Sequence, residues 1–338
     1  MQKICSNNMI KIETFKSGKF TLSNQCDFEK ILPLLIRSDV LYETIKDLPI
    51  LPDMASQLDK DLIRRSIHGT AAIEGNPLNE EEVSNILAES DTPPLFDKAS
   101  TEIRNLKVAY DLLENMEKSS DPFILSEEFI KNAHKVITTS VGYPMNEPGV
   151  YRNHKVEVGD NEHGGKYIPP KVLVDIKNIM ENFIVWINSK PILDETHPFI
   201  RAALAHYHLG IIHPFADGNG RTARALSYMY LLQQGYDFFK FFSISTVIRE
   251  QKAKYYKAIT DAEDNGSDLT YFVDFNAKMI IASISIVLKR LGKEYGNTIL
   301  LNIREKRGLF NRTSEKMSCF FSENRKEIYN HRGILKEI

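Results

Sequence analysis

A mainly α-helical bundle with one short β-hairpin is the fold class this sequence predicts, and three observations predict it. Apolar residues recur at three- and four-residue intervals through most of the chain, the period of an amphipathic helix. Strand and helix do not alternate in the βαβ manner anywhere along it. One short stretch, Lys155 to Pro170, changes texture and reads as two strands about a polar turn.

Composition sets the outer bounds. A chain of 338 residues can bury a sizeable core, and by length it suggests about two domain equivalents. A formal net charge of -2 and an isoelectric point near 6.5 argue against a global attraction to nucleic acid. Cys5, Cys26 and Cys319 are odd in number and scattered, which fits neither a disulfide framework nor a zinc site and points to a reducing compartment. Met1 to Gln25 holds no apolar run of the secretory kind, and no segment reads as long and apolar enough to span a bilayer. The expectation is a cytoplasmic protein with no membrane partner.

Met1 to Cys26 is polar and mixed and reads as an extended arm anchored by Ile10, Ile12, Phe15, Phe20 and Leu22. From Asp27 the spacing of Ile31, Leu34, Leu35 and Val40 to Leu48 predicts a helix, stopped by Pro49 and Pro52. A second helix runs from about Met54 to Ile73, with Gly75 placed as its C′ residue. Asn79-Glu80-Glu81-Glu82 opens a third, acids in its first turn, and Asp91-Thr92-Pro93-Pro94 breaks it. Ala99 to Met116 and Ser126 to Thr138 are further helices, the latter opening on a Ser-Glu-Glu cap. The hairpin follows, with Lys155 to Val158 as one strand, Gly159 to Gly165 as the turn and Lys166 to Pro170 as the return. Helices resume over Lys171 to Asn188 and His197 to Ile212, then Ala225 to Gln234, Ser243 to Asp261 and Leu269 to Leu291. Phe238 to Phe242 reads as core. Ile303 to Ile338, with nine Lys and Arg against five Glu, reads as a basic helical extension.

The chemistry concentrates in His213-Pro214-Phe215-Ala216-Asp217-Gly218-Asn219-Gly220-Arg221-Thr222-Ala223-Arg224. Pro214 biases His213 out of the αR region, so an imidazole able to take a proton projects from the end of the preceding helix. Two glycines around Asn219 leave the backbone free to turn into the next helix, whose unpaired N–H groups and dipole favour phosphate. Arg221 and Arg224 lie three apart on one helix face, so both forks can address a polyphosphate. Asp217 can hold a divalent cation between those oxygens. His197, His206 and His208 add no metal site, because His206 and His208 point to different faces and no His-Glu-x-x-His or cysteine pair accompanies them. They read as packed or capping residues. There is no G-x-x-x-x-G-K-[S/T] either.

This string resembles the signature HPFx[D/E]GNGRxxR of the Fic (filamentation induced by cAMP) family, with every defined position filled. The resemblance implies transfer of AMP from ATP onto a hydroxyl of a target protein. It implies that His213 is the general base, Asp217 the magnesium ligand, Gly218, Asn219 and Gly220 the anion hole, Arg221 a phosphate contact and Arg224 the holder of the γ-phosphate. Related Doc-type toxins carry Lys before the first arginine and act as kinases, so Gly220 points to AMP transfer. Thr70-Ala71-Ala72-Ile73-Glu74-Gly75 is the chain's [S/T]xxxE[G/N] string and looks like the family's inhibitory helix, with Thr70 setting the helix and Glu74 competing with ATP for Arg224. The hairpin, about 155–169, is similar to the flap that holds the target segment, here Val156, Glu157, Val158, Tyr167 and Ile168. Tyr255 and Tyr256 could each stack on adenine in principle, and the sequence does not choose between them or between that role and ordinary packing. The implied organisation is an N-terminal helical region over 1–98 with the inhibitory helix at about 54–75, a catalytic core over 99–262 and a C-terminal helical extension over 263–338.

The leading expectation is therefore an ATP- and Mg2+-dependent protein adenylyltransferase acting on a Ser, Thr or Tyr hydroxyl of a target protein and held off by Glu74. Two alternatives stand beside it: removal of AMP with Glu74 orienting a water, and a non-catalytic regulator that senses ATP or binds DNA through its basic tail. The sequence leaves a homodimer open.

Overall fold

The computed structural model describes residues 8–47, 52–88, 97–117, 124–160, 165–233, 236 and 244–295. The expected break at Asp91 to Pro94, the Phe238 to Phe242 cluster and the basic tail lie outside these residues, as do Cys5 and Cys319. The described chain is a helical bundle with two small hairpins, β1 (Ile10–Glu13) with β2 (Lys19–Leu22) and β3 (Val158–Asp160) with β4 (Gly165–Tyr167), both antiparallel.

The first hairpin corrects the expectation of an extended arm. Ile10, Ile12, Phe20 and Leu22 alternate toward the core while Lys11, Glu13 and Lys19 face water, and the register pairs Ile10 with Leu22 and Glu13 with Lys19. Gly18 turns the chain at a φ of +83°, which a side chain would resist. The alternation was present in the sequence, interrupted by Thr14 to Ser17.

Helix boundaries follow their caps. α1 (Phe28–Lys46) starts where the Asp27 side chain accepts from the Lys30 N–H. α2 (Pro52–Ile73) ends in a Schellman turn: the Gly75 N–H donates to the Ala72 carbonyl and the Asn76 N–H to that of Ala71. Asn79 and Glu82 form a capping box at the start of α3 (Glu80–Ala88): the Asn79 side chain accepts from the Glu82 N–H and the Glu82 side chain from that of Asn79. α4 (Lys98–Glu117) is capped by Asp97 and α5 (Glu127–Thr138) by Ser126. α6 (Leu173–Ile187) and a short α7 (Lys190–Glu195) lead to α8 (Pro198–Ile212), α9 (Asn219–Gln233), α10 (Ile244–Glu250), α11 (Lys252–Asp264) and α12 (Thr270–Tyr295).

α8 is the central element. It is buried almost all round, from Phe199 through Leu209, and packs on α6, α9 and α12. One hydrophobic cluster runs from Ile12 to Leu291, and a smaller one gathers α2, α3, α4 and part of α9 around Leu106 and Ile67. α2 lies tight on α10: a Cβ at Gly69 would come within 2.7 Å of the Ser245 backbone.

Three other expectations change. The helix expected over Ser243 to Asp261 is two, broken at Gln251, because α10 packs on α2 while α11 turns to pack on α12. The second hairpin begins only at Val158, so Lys155, Val156 and Glu157 precede the ladder and Ile168 follows it, 55% exposed. The reason is a buried arginine: Arg152 donates to the carbonyls of His154 and Pro170, which holds both legs below the ladder. Finally, α12 contains Thr270–Leu291, which is long and apolar enough to cross a membrane by length and composition, with mean hydropathy 1.5. The fold uses it as a core helix, and 67% of it is buried.

Candidate active site

The site is built where α8 ends and α9 begins. His213 is the C-cap of α8 and takes a left-handed conformation, φ 49° and ψ 57°, with its N–H on the Leu209 carbonyl. Nδ1 lies 3.2 Å from the Gly210 carbonyl, so Nδ1 carries the proton and Nε2 keeps its lone pair. Burial pushes the imidazole down to about 4, which makes it neutral and able to accept a proton at neutral pH.

Three side chains shape the loop that follows. Arg152 donates from Nε to the His213 carbonyl at 2.8 Å, and its backbone N–H to the Pro214 carbonyl at 2.9 Å. The Asn219 amide bridges the Phe215 N–H and carbonyl, both at 2.9 Å. His134 stacks on Phe215, ring centroids 3.6 Å apart. Its Nδ1 accepts from Gly149 N–H and its Nε2 donates to the Asp217 carbonyl, while burial lowers it to about 4. Gly218, at φ +78°, fits against this support so closely that a Cβ would meet Thr138 Cγ2 at 2.6 Å.

The residues expected to hold an anion divide. Gly220 lines the cavity, but the Gly218 N–H donates to Asp217 Oδ1 at 2.5 Å and the Asn219 side chain is committed to Phe215. Arg221 corrects the expectation of two forks on one polyphosphate. Its guanidinium bonds Glu102, the Tyr143 hydroxyl and Asp217 Oδ1, and lies over the Tyr143 ring. The side chain is 3% exposed, is not among the residues that line the cavity, and is held by the buried Glu102 carboxylate. Asp217 is thereby positioned by Arg221, with its side chain 39% exposed. A lone half-exposed carboxylate suits magnesium, which keeps waters and takes substrate phosphate oxygens for most of its ligands.

Arg224 does face the cavity, and Glu74 sits on it. The Glu74 carboxylate accepts from Arg224 Nη2 at 2.7 Å, while Thr70 accepts twice, through Oγ1 from Nε at 2.7 Å and through its carbonyl from Nη2 at 3.1 Å. Thr70 therefore orients the guanidinium directly, a larger part than setting the helix. A Cβ on Gly220 would lie 2.2 Å from Glu74 Oε1, so the carboxylate rests on the first turn of α9. Burial pushes Glu74 up, but the Arg224 and Arg221 guanidiniums outweigh it and hold the carboxyl below its usual range. Burial pulls Arg224 down and Glu74 more than compensates.

A cavity of about 490 Å³ opens from here. Glu74, His213, Gly220 and Arg224 line one part, and Tyr167, Tyr207, Tyr256, Ile259 and Glu263 line another. Val158 and Tyr167 of the second hairpin reach it, while Val156, Glu157 and Ile168 are not among its lining residues. Tyr255 is buried and bonds His206 through its hydroxyl at 2.9 Å. His208 bonds the Ser23 carbonyl and His197 caps α8, which gives each of these histidines a packing or capping partner. Sequence reasoning missed Arg152, His134, Glu102 and Tyr143. Arg152 had a weak signal in the Pro148-Gly149-Val150-Tyr151-Arg152 turn; the others had none.

The fold and the site define a class by their geometry: a helical bundle that presents a neutral histidine beside the N-terminus of the next helix, an arrangement suited to an anion. Residues 124–231 match the Fic/DOC family, and the chain belongs to the Fic family. It is 31% identical over 231 residues to the protein adenylyltransferase Fic of Drosophila erecta, covering 68% of this chain and 42% of that one. It is 30% identical over 235 residues to its namesake in Aedes aegypti, with the same coverage. The chain thus spans under half the length of these curated relatives. A Fic family protein from Desulfovibrio desulfuricans shares the fold at TM-score 0.65 and 22% identity, over 77% of this chain and 75% of that one. A Fic domain containing signaling protein from Bacteroides thetaiotaomicron does so at 0.62 and 22%, over 74% and 94%.

Proposed function

We propose that this protein transfers AMP from ATP to a Ser, Thr or Tyr hydroxyl of a target protein and that Glu74 holds the activity off. The relatives are named for that transfer. The observation that carries the inhibition is the Glu74 carboxylate itself, bonded to Arg224 and resting on Gly220 where a terminal phosphate would otherwise sit.

With Glu74 displaced, Arg224 and the first N–H groups of α9 receive the phosphates. His213 Nε2 takes the proton of the target hydroxyl, the oxygen attacks the α-phosphorus, the bond to the bridging oxygen of the β-phosphate breaks and pyrophosphate leaves. Asp217 is the residue that would hold magnesium, whose charge offsets that of the phosphates. Arg221 acts through Asp217 by fixing its carboxylate. The second hairpin supports the target segment from its ladder at Val158 and Tyr167.

The test is incorporation of labelled AMP from ATP into lysate proteins. Glu74→Gly is expected to label a target band more strongly than wild type, and Glu74→Gly with His213→Ala to label none. Equal labelling by wild type and Glu74→Gly would remove the inhibitory reading; labelling that survives His213→Ala would remove the mechanism.

A further inference from the structure

We propose that the N-terminal hairpin is a working wall of the nucleotide site, held in place by Asp175, and that it closes on the part of the nucleotide remote from the phosphates. This rests on the ATP reading above. Lys19, Phe20 and Thr21 of β2 line the same cavity as His213 and Arg224.

The tie points show which end they close. At the turn of the hairpin, Asp175 on α6 accepts from the Phe15 N–H at 2.7 Å, the Lys16 N–H at 3.0 Å and the Ser17 hydroxyl at 2.6 Å. Asp175 is 1% exposed. Burial pushes its carboxyl up, but those bonds prevail and hold it below the usual range. Ser17 Oγ in turn accepts from the Lys171 N–H at 2.7 Å, one residue past the Pro170 carbonyl that Arg152 holds. The hairpin turn is thus bonded to the exit of the second hairpin and, through Arg152, to the His213 carbonyl. Beyond β2, the Ser23 carbonyl meets His208, and Gln25 and Asp27 bond Leu269 and Thr270. The strand therefore crosses α8 from the second hairpin to the turn between α11 and α12.

At that turn lie the lining residues Glu263, Asp264 and Ser267, with Tyr207 nearby. The Tyr207 hydroxyl is buried and has no hydrogen-bond partner among the described residues, although the ring is 1% exposed. Burial raises Glu263 to about 7, and its charge acts on both Tyr207 and Tyr167. A buried hydroxyl that the described residues leave unpaired calls for a partner. Here that partner is a polar ligand group enclosed by β2.

The experiment measures the affinity of ATP, adenosine and inorganic tripolyphosphate by calorimetry, all in the Glu74→Gly protein. Asp175→Asn and Ser17→Ala loosen the wall, Thr21→Trp fills the chamber directly, and Ser17→Thr keeps the hydroxyl. ATP and adenosine are expected to weaken about tenfold in the first three variants while tripolyphosphate stays within about twofold. Ser17→Thr should restore binding. Unchanged adenosine affinity in Thr21→Trp, or a parallel fall for tripolyphosphate, overturns the proposal even if Asp175→Asn fails to fold. If the Glu74→Gly parent binds neither ATP nor tripolyphosphate, the ATP reading falls first and this inference with it.

Discussion

Arg221 and Arg224 stand one helical turn apart on α9, carry the same charge and are both buried, yet they do opposite work. Arg221 has a permanent partner set in Glu102, Tyr143 and Asp217. Arg224 has a side chain 4% exposed, but its carboxylate partner, Glu74, is 27% exposed and comes from the last turn of another helix. A guanidinium locked by a buried carboxylate is scaffold; one held by a partly exposed carboxylate at a cavity wall is available to a competing anion. The difference lies in the partners, not in the arginines.

The largest effect should come from breaking the locked one. Arg221→Met leaves the buried Glu102 carboxylate without its counter-charge, with the Asn76 amide as its remaining donor among the described residues, and is expected to lower the unfolding free energy by about 3–5 kcal/mol in urea titrations, with Glu102→Gln in the same chain recovering part of it. Arg224→Ala is expected to lower it by only about 1–3 kcal/mol, since Glu74 can rehydrate, while abolishing ATP binding in calorimetry. A larger stability loss for Arg224→Ala than for Arg221→Met would reverse the comparison. Glu74→Gly sharpens it: apo stability falls by about 1–2 kcal/mol, and saturating ATP should restore more than it adds to wild type, by the ordinary linkage of binding to folding.

The smallest effect is that of pH on Glu74 itself. Glu74 is held below its ordinary carboxylate value, so its contribution to stability is complete above that value and is lost only as pH falls below it. ATP affinity should therefore gain nothing from mild acid. The buried histidines act sooner. His134, His208 and His213 sit near 4 and His206 near 3 against 6.5 unfolded, so their contribution is full above 6.5 and drains as pH falls toward 4. Melting temperature followed from pH 7 to pH 5 should decline while the affinity of the wild-type protein for tripolyphosphate does not rise, a separation that fails if Glu74 titrates in the same range.

What was legible in the sequence depended on distance along the chain. Caps declare themselves within a few residues, so Asp27, Ser126 and Gly75 marked their helix ends correctly. The Fic string was read in full because its residues are consecutive. Glu74 was found because a short motif travels with it, although its partner is 150 positions away. Arg221 was misdirected because Glu102, 119 positions off, is an unremarkable acid in an amphipathic helix. Arg152 was missed for a different reason: its partners, one of them only two residues away, are carbonyl oxygens, which no sequence displays. The N-terminal hairpin lacked a strong turn dipeptide, and its docking depends on Asp175, some 160 residues downstream.

The Schellman turn at the end of α2 has a consequence for how the site opens. Glu74 occupies the last position before Gly75, at the negative pole of a helix with no basic residue in its final turn. A carboxylate there is disfavoured by the helix dipole by about 0.3–1 kcal/mol, so the Glu74 carboxylate is poorly tolerated by the helix that delivers it and depends on Arg224 for its place. Upstream, Gly69 is wedged on the Ser245 backbone and anchors the rest of the helix. Under the inhibitory reading proposed above, unwinding that single terminal turn would swing the carboxylate clear with Gly69 and the rest of the helix left in place, while exposing the buried Ala71 and Ile73.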